Sequence, residues 1–368
     1  MELQRLKLQN FRNYDQLELE FAPRTNIFIG ANAQGKTNLL EAIYVLALVR
    51  SHRTNNNQEL IRWEQDFARL QAQIKRAQGR LTLELVLSAA GPHAVINHLE
   101  QPRLSQYVGQ LNVVLFAPED LNLVKGSPNL RRRFIDMELG QIDPVYLQNS
   151  AKYRQVLKQR NSYLKKLRQH QSQDRLYLEV LTDQLAGYGA EVIRARQKFL
   201  GQLESLIQPI HQQITAQSEH LSLNYQCGLE ETTTSIEQLY QQLLTKLQAQ
   251  QEHDLRLGTT TVGPHRDDFL FQVNANNLQK FGSQGQQRTA VLSLKLAEID
   301  LFQQVVGDYP LLLLDDVLSE LDQERQTQLL KTIEDRIQTF ITTTSLDNVN
   351  LQAIEQPRIF KIKAGGIV

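Results

Sequence analysis

Apolar and acidic residues alternate at LELEF (Leu17–Phe21), and apolar and polar ones at LTLELVL (Leu81–Leu87), with the two-residue period of strands buried on one face. TNIFIG (Thr25–Gly30) and LNVVLF (Leu111–Phe116) are short apolar runs instead, the pattern of strands buried on both faces. Between these strands the pattern predicts a helix from about Lys36 to Val49. After Pro128, which suits the first turn of a helix, the spacing changes to steps of three and four. Leu178, Leu181, Leu185, Tyr188, Val192, Ala195, Phe199, Leu203, Leu206 and Ile210 form one stripe, as a helical hairpin or coiled coil needs. Tyr153, Val156, Tyr163 and Leu167 on the preceding helix are placed to pack against it. Gly187, Gly189 and Gly201 weaken the stripe and predict irregularity there. Strand character returns at DDFLFQV (Asp267–Val273). A helix after FGSQGQQ, the strand YPLLLL, a helix near Gln323–Ile333 and the strands QTFITTT and RIFKIK follow. Alternating strands and helices predict an α/β sheet. The expected organisation is a head made of residues 1–124 and 255–368, with a helical arm, 125–254, inserted into it.

Charge sharpens this division. The 368-residue chain has no net charge, yet Lys125–Leu200 carries 15 Lys and Arg against 7 Asp and Glu, so a basic middle is set in an acidic frame. The unbroken apolar run Ile43–Val49 is too short to span a bilayer, and MELQRLKLQNF has no apolar signal core. A single cysteine, Cys227, forms no internal disulfide, which fits a reducing cytoplasm. Trp63 reads as a packing residue.

GANAQGKT (Gly30, Ala31, Asn32, Ala33, Gln34, Gly35, Lys36, Thr37) has the spacing GxxxxGK[ST]. Glycines let the backbone curl so that its N–H groups converge on phosphate oxygens, and the following helix presents its positive end to them. Lys36 is expected to reach the β- and γ-phosphates, and Thr37 to ligate Mg²⁺. LLLLDDVLSELD (Leu311–Asp322) places aspartates at the C-terminal end of a buried strand, where ligands bind in open α/β sheets. Asp315 is expected to hold Mg²⁺ opposite Thr37, and Asp316 to orient or deprotonate the attacking water.

The order GANAQGKT, SQGQQ, LLLLDD and SELD resembles the ABC-type ATPases. That resemblance implies an ABC-type P-loop head with an inserted helical arm. In that family the signature caps a γ-phosphate bound to the opposite subunit, a role that falls here on Ser283, Gln284, Gly285, Gln286 and Gln287. NFRNY (Asn10–Tyr14), the phosphate loop, SHRT (Ser51–Thr54), GPHRDD (Gly263–Asp268), SQGQQRT and DDVLSELD together resemble the RecF family of bacterial recombination-repair ATPases, with motifs from Asn10 to Asp322. The resemblance implies ATP-driven dimerisation, binding to DNA at single-strand/double-strand junctions, and work with RecR and RecO in loading RecA during recombinational repair and the SOS response. It places Arg12 and Asn13 near the nucleotide, and Ser319, Glu320 and Asp322 in a loop crossing the dimer interface. Two departures from the wider ABC pattern imply slow turnover. Asp316 stands where glutamate is usual, and TTTS (Thr342–Ser345) stands where a switch histidine is usual, leaving Thr343 or Thr344 to sense phosphate by hydroxyl.

Arg131, Arg132 and Arg133 form a basic run, and Lys152, Lys158, Lys165 and Lys166 stud the next helix. They are candidate phosphate contacts with little sequence preference. Arg50 and Arg53, around SHRT, are candidates for DNA contact or nucleotide sensing, and His265 is expected to be a hydrogen-bonded loop residue. An ATP subunit energising a membrane transporter shares the nucleotide motifs but needs neither the basic insertion nor SQGQQ in place of LSGGQ. A small-molecule kinase needs neither SQGQQ nor SELD.

Overall fold

A computed structural model of the chain describes residues 1–229, 235–320, 325–327, 329–330, 336–346, 354 and 356–368. Two compact units emerge. The first comprises Met1–Asp120, Gln213–Ala216 and Val291–Val368, and the second Leu121–Gln212 and Gln217–Ala290. The second unit begins near the expected arm boundary but runs on to Ala290, taking in both GPHRDD and SQGQQ.

Two six-stranded sheets build the first unit. One is antiparallel, in the order Tyr14–Glu20, Glu2–Phe11, Phe67–Arg76, Gly79–Ser88, Gly91–Ile96, Leu99–Glu100. The expected alternation is there: Leu83, Leu85 and Leu87 are buried, while Thr82, Glu84 and Val86 are half-buried between them. The other sheet runs Gly366–Ile367, Arg358–Lys363, Thr25–Ile29, Thr339–Thr343, Leu311–Asp315, Val113–Phe116, parallel except at its first pair. Strand Thr339–Thr343 thus separates the strand that feeds the phosphate loop from the strand that carries the aspartates. Phe21, Phe28, Phe340 and Phe360 pack their rings against this sheet, the closest pair, Phe21 and Phe340, edge-on at 5.0 Å.

Helix Lys36–Leu48 touches strands of both sheets. Nearly all of its residues are buried, which is why TNLLEAIYVLAL is apolar all round instead of striped. Glu41 is the one carboxylate in that run, and it is fully buried. Residues 325–327 and 329–330 are helical and fall within the segment expected to be helical near Gln323–Ile333; the rest of that segment, and Asp322, lie outside the described residues.

The second unit is helical around a three-stranded antiparallel sheet, Asn276–Asn277, Asp268–Val273, Leu221–Gln226. The last of these strands falls inside 125–254, the segment expected to be a helical arm. Pro144 opens helix Pro144–Arg168, and Asp143 caps it by accepting from Val145 and Tyr146 N–H at 2.9 Å. Helix Arg175–Ile214 then runs for 40 residues. It continues through all three glycines, contrary to expectation. At Gly189 the reason is packing: a Cβ there would lie 2.6 Å from Leu243 and 3.2 Å from Tyr153, so the missing side chain admits both neighbours. The stripe also drifts. Leu178, Leu181, Leu185, Val192, Phe199 and Leu203 are buried as expected, but Ile193, Leu200 and Ile207 join them while Tyr188, Leu206 and Ile210 stay half-exposed. A straight helix with 3.6 residues per turn cannot keep a shorter repeat on one face over this length.

Several arginines of the basic middle are internal. Arg131, 2 % exposed, makes a bidentate pair with Asp268 at 2.7 Å and donates to the carbonyls of Leu123 and Gly126. Arg160, fully buried, donates to Asp254, Thr182 and Thr260. Arg196 donates to Asp136, Tyr146 and the Pro264 carbonyl. Arg131 is therefore withdrawn as a DNA contact, since its guanidinium is occupied and shut away from solvent. Trp63, expected to pack, is 91 % exposed.

Candidate nucleotide site

Strand Thr25–Ile29 ends at the loop Gly30–Gly35, which opens directly into helix Lys36–Leu48. Ala33 (φ 64°) and Gly35 (φ 114°) take left-handed conformations that turn successive N–H groups inward, the geometry of an anion nest. A Cβ at Gly35 would lie 2.6 Å from the Asn13 amide, and one at Gly30 would lie 2.4 Å from the Ile362 carbonyl, so both positions need glycine. Lys36 is 7 % exposed; its ammonium donates to the carbonyls of Gly30 at 2.7 Å and Ala31 at 2.9 Å, which bends it back over the loop. Burial holds its pKa below the ordinary lysine value, and the facing Asp316 and Asp315 carboxylates oppose that.

Below the loop three side chains converge. Thr37 Oγ1 donates to Asp315 Oδ1 at 2.9 Å, and Thr342 Oγ1 donates to the same oxygen at 2.7 Å. Thr342 also accepts from the Asp316 amide at 2.9 Å, which fixes Asp316 in a left-handed conformation (φ 53°). Ser319 donates to the Asp316 carbonyl at 2.7 Å, so this part of the SELD loop folds back on the acidic strand. Hydroxyl and carboxylate oxygens are hard donors, the set Mg²⁺ takes. Among the threonines at the end of strand Thr339–Thr343 and just beyond it, Thr342 reaches the aspartates, whereas Thr343 donates to the Ser345 carbonyl and Thr344 is exposed.

Two further segments brace the loop. Asn13 donates to the Gln34 carbonyl at 3.2 Å and accepts from Asn38 at 2.8 Å, and Tyr14 donates to the Gly35 carbonyl at 2.9 Å. From the far end of the chain, the amides of Ala364 and Gly365 donate to the Gln34 side-chain and backbone oxygens. Arg12 is tied to the helix that follows the loop. It makes a bidentate pair with Glu41 at 2.8 and 2.9 Å and donates to the Glu59 carbonyl. Ser51 and Arg53 of SHRT also donate to Glu41, and Arg53 to Asn38 at 2.9 Å. Burial raises the Glu41 pKa, but the bonds from Arg12 and Ser51 outweigh it and hold the carboxyl below its ordinary value. Sequence reasoning missed Glu41, although a lone carboxylate inside an apolar helix was its visible sign.

In the second unit the signature starts helix Gln284–Val306. Ser283 N–H donates to Gln286 Oε1 at 2.9 Å, and Gln286 N–H donates to Ser283 Oγ at 3.2 Å, a reciprocal capping box. Ser283, Gln284 and Gly285 are exposed. Gln287 is 4 % exposed and donates to the Leu278 and Gly282 carbonyls, so burial removes it from the expected group of phosphate-capping residues.

GPHRDD closes the polar interior of the same unit. His265 Nδ1 accepts from the Tyr153 hydroxyl at 2.7 Å while Nε2–H donates to the Thr260 carbonyl at 3.1 Å, the loop role expected of it. Burial lowers its pKa to about 4. Burial raises Asp267 to about 6, against the bond from the Tyr225 hydroxyl and the charges of Arg196 and Arg132. These shifts act on stability in opposite senses. Between about 4 and 6.5 the unfolded chain holds the His265 proton more tightly than the folded one, so stability rises with pH. Between 3.8 and about 6 the folded chain holds the Asp267 proton more tightly, so stability falls as pH rises. Asp267→Asn keeps an acceptor for Tyr225 and removes the second effect. Its urea midpoint should then climb more steeply than wild type between pH 4 and 6; parallel profiles would refute the assignment.

Lys152, Lys158, Lys165 and Lys166 are exposed on helix Pro144–Arg168, with Lys152 lying 5.4 Å over the Tyr188 ring. Arg132 and Arg133 are half-buried, and Arg132 donates to the Asp267 carbonyl.

A phosphate loop on a central strand, an acidic strand two positions along the same sheet and a serine–glycine signature opening a later helix together define an ABC-type ATPase head. The profile of the RecF/RecN/SMC N terminal domain family matches residues 2–365. The chain belongs to the RecF family: it is 57 % identical over 370 residues to the DNA replication and repair protein RecF of Latilactobacillus sakei, covering 100 % of this chain and 99 % of that one. Identity to the RecF of Bacillus subtilis is 50 % over 372 residues and 100 % of both chains. Among solved structures, the recombination mediator protein RecF-ATP of the RecFOR pathway matches with a TM-score of 0.91 and 33 % identity, covering 100 % of this chain and 97 % of that one. The Smc head bound to the C-winged helix domain of ScpA matches at 14 % identity and a TM-score of 0.56, covering 100 % of this chain and 98 % of that one, a likeness of fold alone.

Proposed function

We propose that this protein is an ATP-dependent, dimerising DNA-binding ATPase of recombinational repair and replication. In this reading it acts in the cytoplasm at single-strand/double-strand junctions and assists RecA loading with RecR and RecO, also in the SOS response. The observation that carries the proposal is the convergence of Thr37, Asp315 and Thr342 beneath the Gly30–Thr37 loop. The names of the full-length relatives support it.

Residues Gly30–Thr37 cradle the triphosphate by backbone N–H groups, and Lys36 turns from its carbonyls towards the β- and γ-oxygens. Thr37 and Asp315 are the residues that would hold Mg²⁺, which supplies charge neutralisation at the phosphates. Asp316, oriented by Thr342, positions the attacking water. Asn13 holds the loop directly, and Arg12 braces, through Glu41, the helix that follows it. Ser283 to Gln286 cap the partner's γ-phosphate, while Ser319, Glu320 and Asp322 belong to the loop crossing the interface. An aspartate one methylene shorter than glutamate and a threonine in place of a switch histidine make turnover slow, so that ATP times a clamp, and DNA stimulates it. Sizing with and without ATP, followed by addition of DNA, tests this reading. ATP should convert monomer to dimer and DNA should raise hydrolysis; a monomer at saturating ATP would end the proposal.

The exposed lysines make phosphate contacts. Each of Lys158→Ala, Lys165→Ala and Lys166→Ala should flatten the slope of log affinity against log salt by about 0.9 on duplex DNA. Arg131→Ala should act differently, lowering folding stability by about 3 kcal/mol because Asp268 is left unpaired. Unchanged slopes in all three lysine variants would move the DNA surface elsewhere.

A further inference from the structure

Gln286 is held at both ends of its side-chain amide. Its oxygen accepts from the Ser283 amide, and its nitrogen donates to Glu219 Oε1 at 2.9 Å. Turning the amide over would set its NH₂ against an N–H donor and its oxygen against a carboxylate, so this orientation is enforced. The second Glu219 oxygen, Oε2, lies 3.2 Å from Nε2 of His211. His211 is fully buried in the last turn of helix Arg175–Ile214, the long helix of the arm. The backbone around Glu219 is itself fixed: the next amide, of His220, donates to Asn274 Oδ1, and the Asn274 amide donates back to the His220 carbonyl, both at 2.9 Å. One carboxylate therefore bridges the end of the 40-residue helix and the residue that completes the capping box of Ser283.

We propose that Glu219 is a positioning residue for the signature, fixing Gln286, and through it Ser283, to the end of the arm's long helix. The inference rests on the reading that Ser283 caps a triphosphate held by a second copy. Ser283 Oγ accepts from the Gln286 amide, which leaves its own O–H proton to donate to a phosphate oxygen. With Gln286 untethered, the capping box loses its fixed partner and the hydroxyl its aim. A displacement of the arm helix is likewise transmitted to the signature through the Glu219 carboxylate.

The test uses the full chain and measures ATP-driven dimerisation by sedimentation, nucleotide affinity of the diluted protomer, and thermal stability. Glu219→Ala removes both bonds; Glu219→Gln keeps an acceptor for Gln286. We expect Glu219→Ala to weaken the ATP-dependent dimer about tenfold and Glu219→Gln to restore most of it, since a hydrogen bond to a charged group is lost in the first and replaced in the second. Protomer affinity for ATP should stay within about twofold of wild type in both, because the phosphate loop lies in the other unit. The losses in Glu219→Ala and Ser283→Ala should combine to less than their product, as they do for residues acting through one another. Full multiplication of the two losses, or wild-type dimerisation of Glu219→Ala, overturns the role of Glu219. Failure of the wild type itself to dimerise would bring down the reading of the signature instead.

Discussion

Lys36→Arg should lower nucleotide affinity roughly 100-fold and abolish the ATP-induced dimer, although the charge is kept. The ammonium of Lys36 reaches two carbonyls of its own loop from one compact centre, at 2.7 and 2.9 Å. A guanidinium is planar and wider, and its donors point in a fixed fork, so it cannot occupy the curl of Gly30 and Ala31. The loop has no slack to take it up. Asn13, Tyr14 and the amides of Ala364 and Gly365 hold it from outside, and a side chain at Gly30 or Gly35 would collide with its braces. Losing the contact to phosphate forfeits charge-assisted hydrogen bonds worth about 2–3 kcal/mol, which sets the expected factor. Titration of a fluorescent ATP analogue measures it; wild-type affinity in the variant would mean that Lys36 does not touch phosphate.

Ser283→Arg should split nucleotide binding from dimerisation. The phosphate loop and the signature belong to different units of the chain, so each protomer should bind ATP as wild type does. The dimer should vanish at micromolar protein, because a large cation replaces a hydroxyl at an exposed helix start. Loss of the capping box costs about 1 kcal/mol of local stability, small enough to leave the fold intact. Sedimentation of the ATP-saturated variant decides the matter: a dimer of wild-type strength would show that this serine caps nothing in trans.

The parts of the site that were legible in the sequence are those whose chemistry dictates a local spacing. GANAQGKT and LLLLDD each carry their geometry within a dozen residues, and the strand order brings Thr37 to Asp315. The parts that were not legible depend on distant partners. Arg131, Arg160 and Arg196 count as surface charge in any tally, yet their aspartates lie 137, 94 and 60 residues away, and only the fold reveals that they neutralise one another inside the second unit. Thr342 was concealed among three consecutive threonines, of which alternation along the strand selects the one facing Asp315. The glycines of the long helix misled for a related reason. Their intrinsic cost is about 1 kcal/mol each, and close packing at Gly189 outweighs it. Glu219 had no local sign at all, since nothing around it marks a carboxylate that reaches 67 residues forward.

The brace from Ala364 and Gly365 bears on how the protein is made. During synthesis the nucleotide cradle leaves the ribosome early, but strand Arg358–Lys363, which lies beside strand Thr25–Ile29, and the two amides that grip Gln34 come more than 300 residues later. Until translation reaches them the cradle stays unbuttressed, so a nascent chain should be blind to ATP until Arg358–Gly365 has been made.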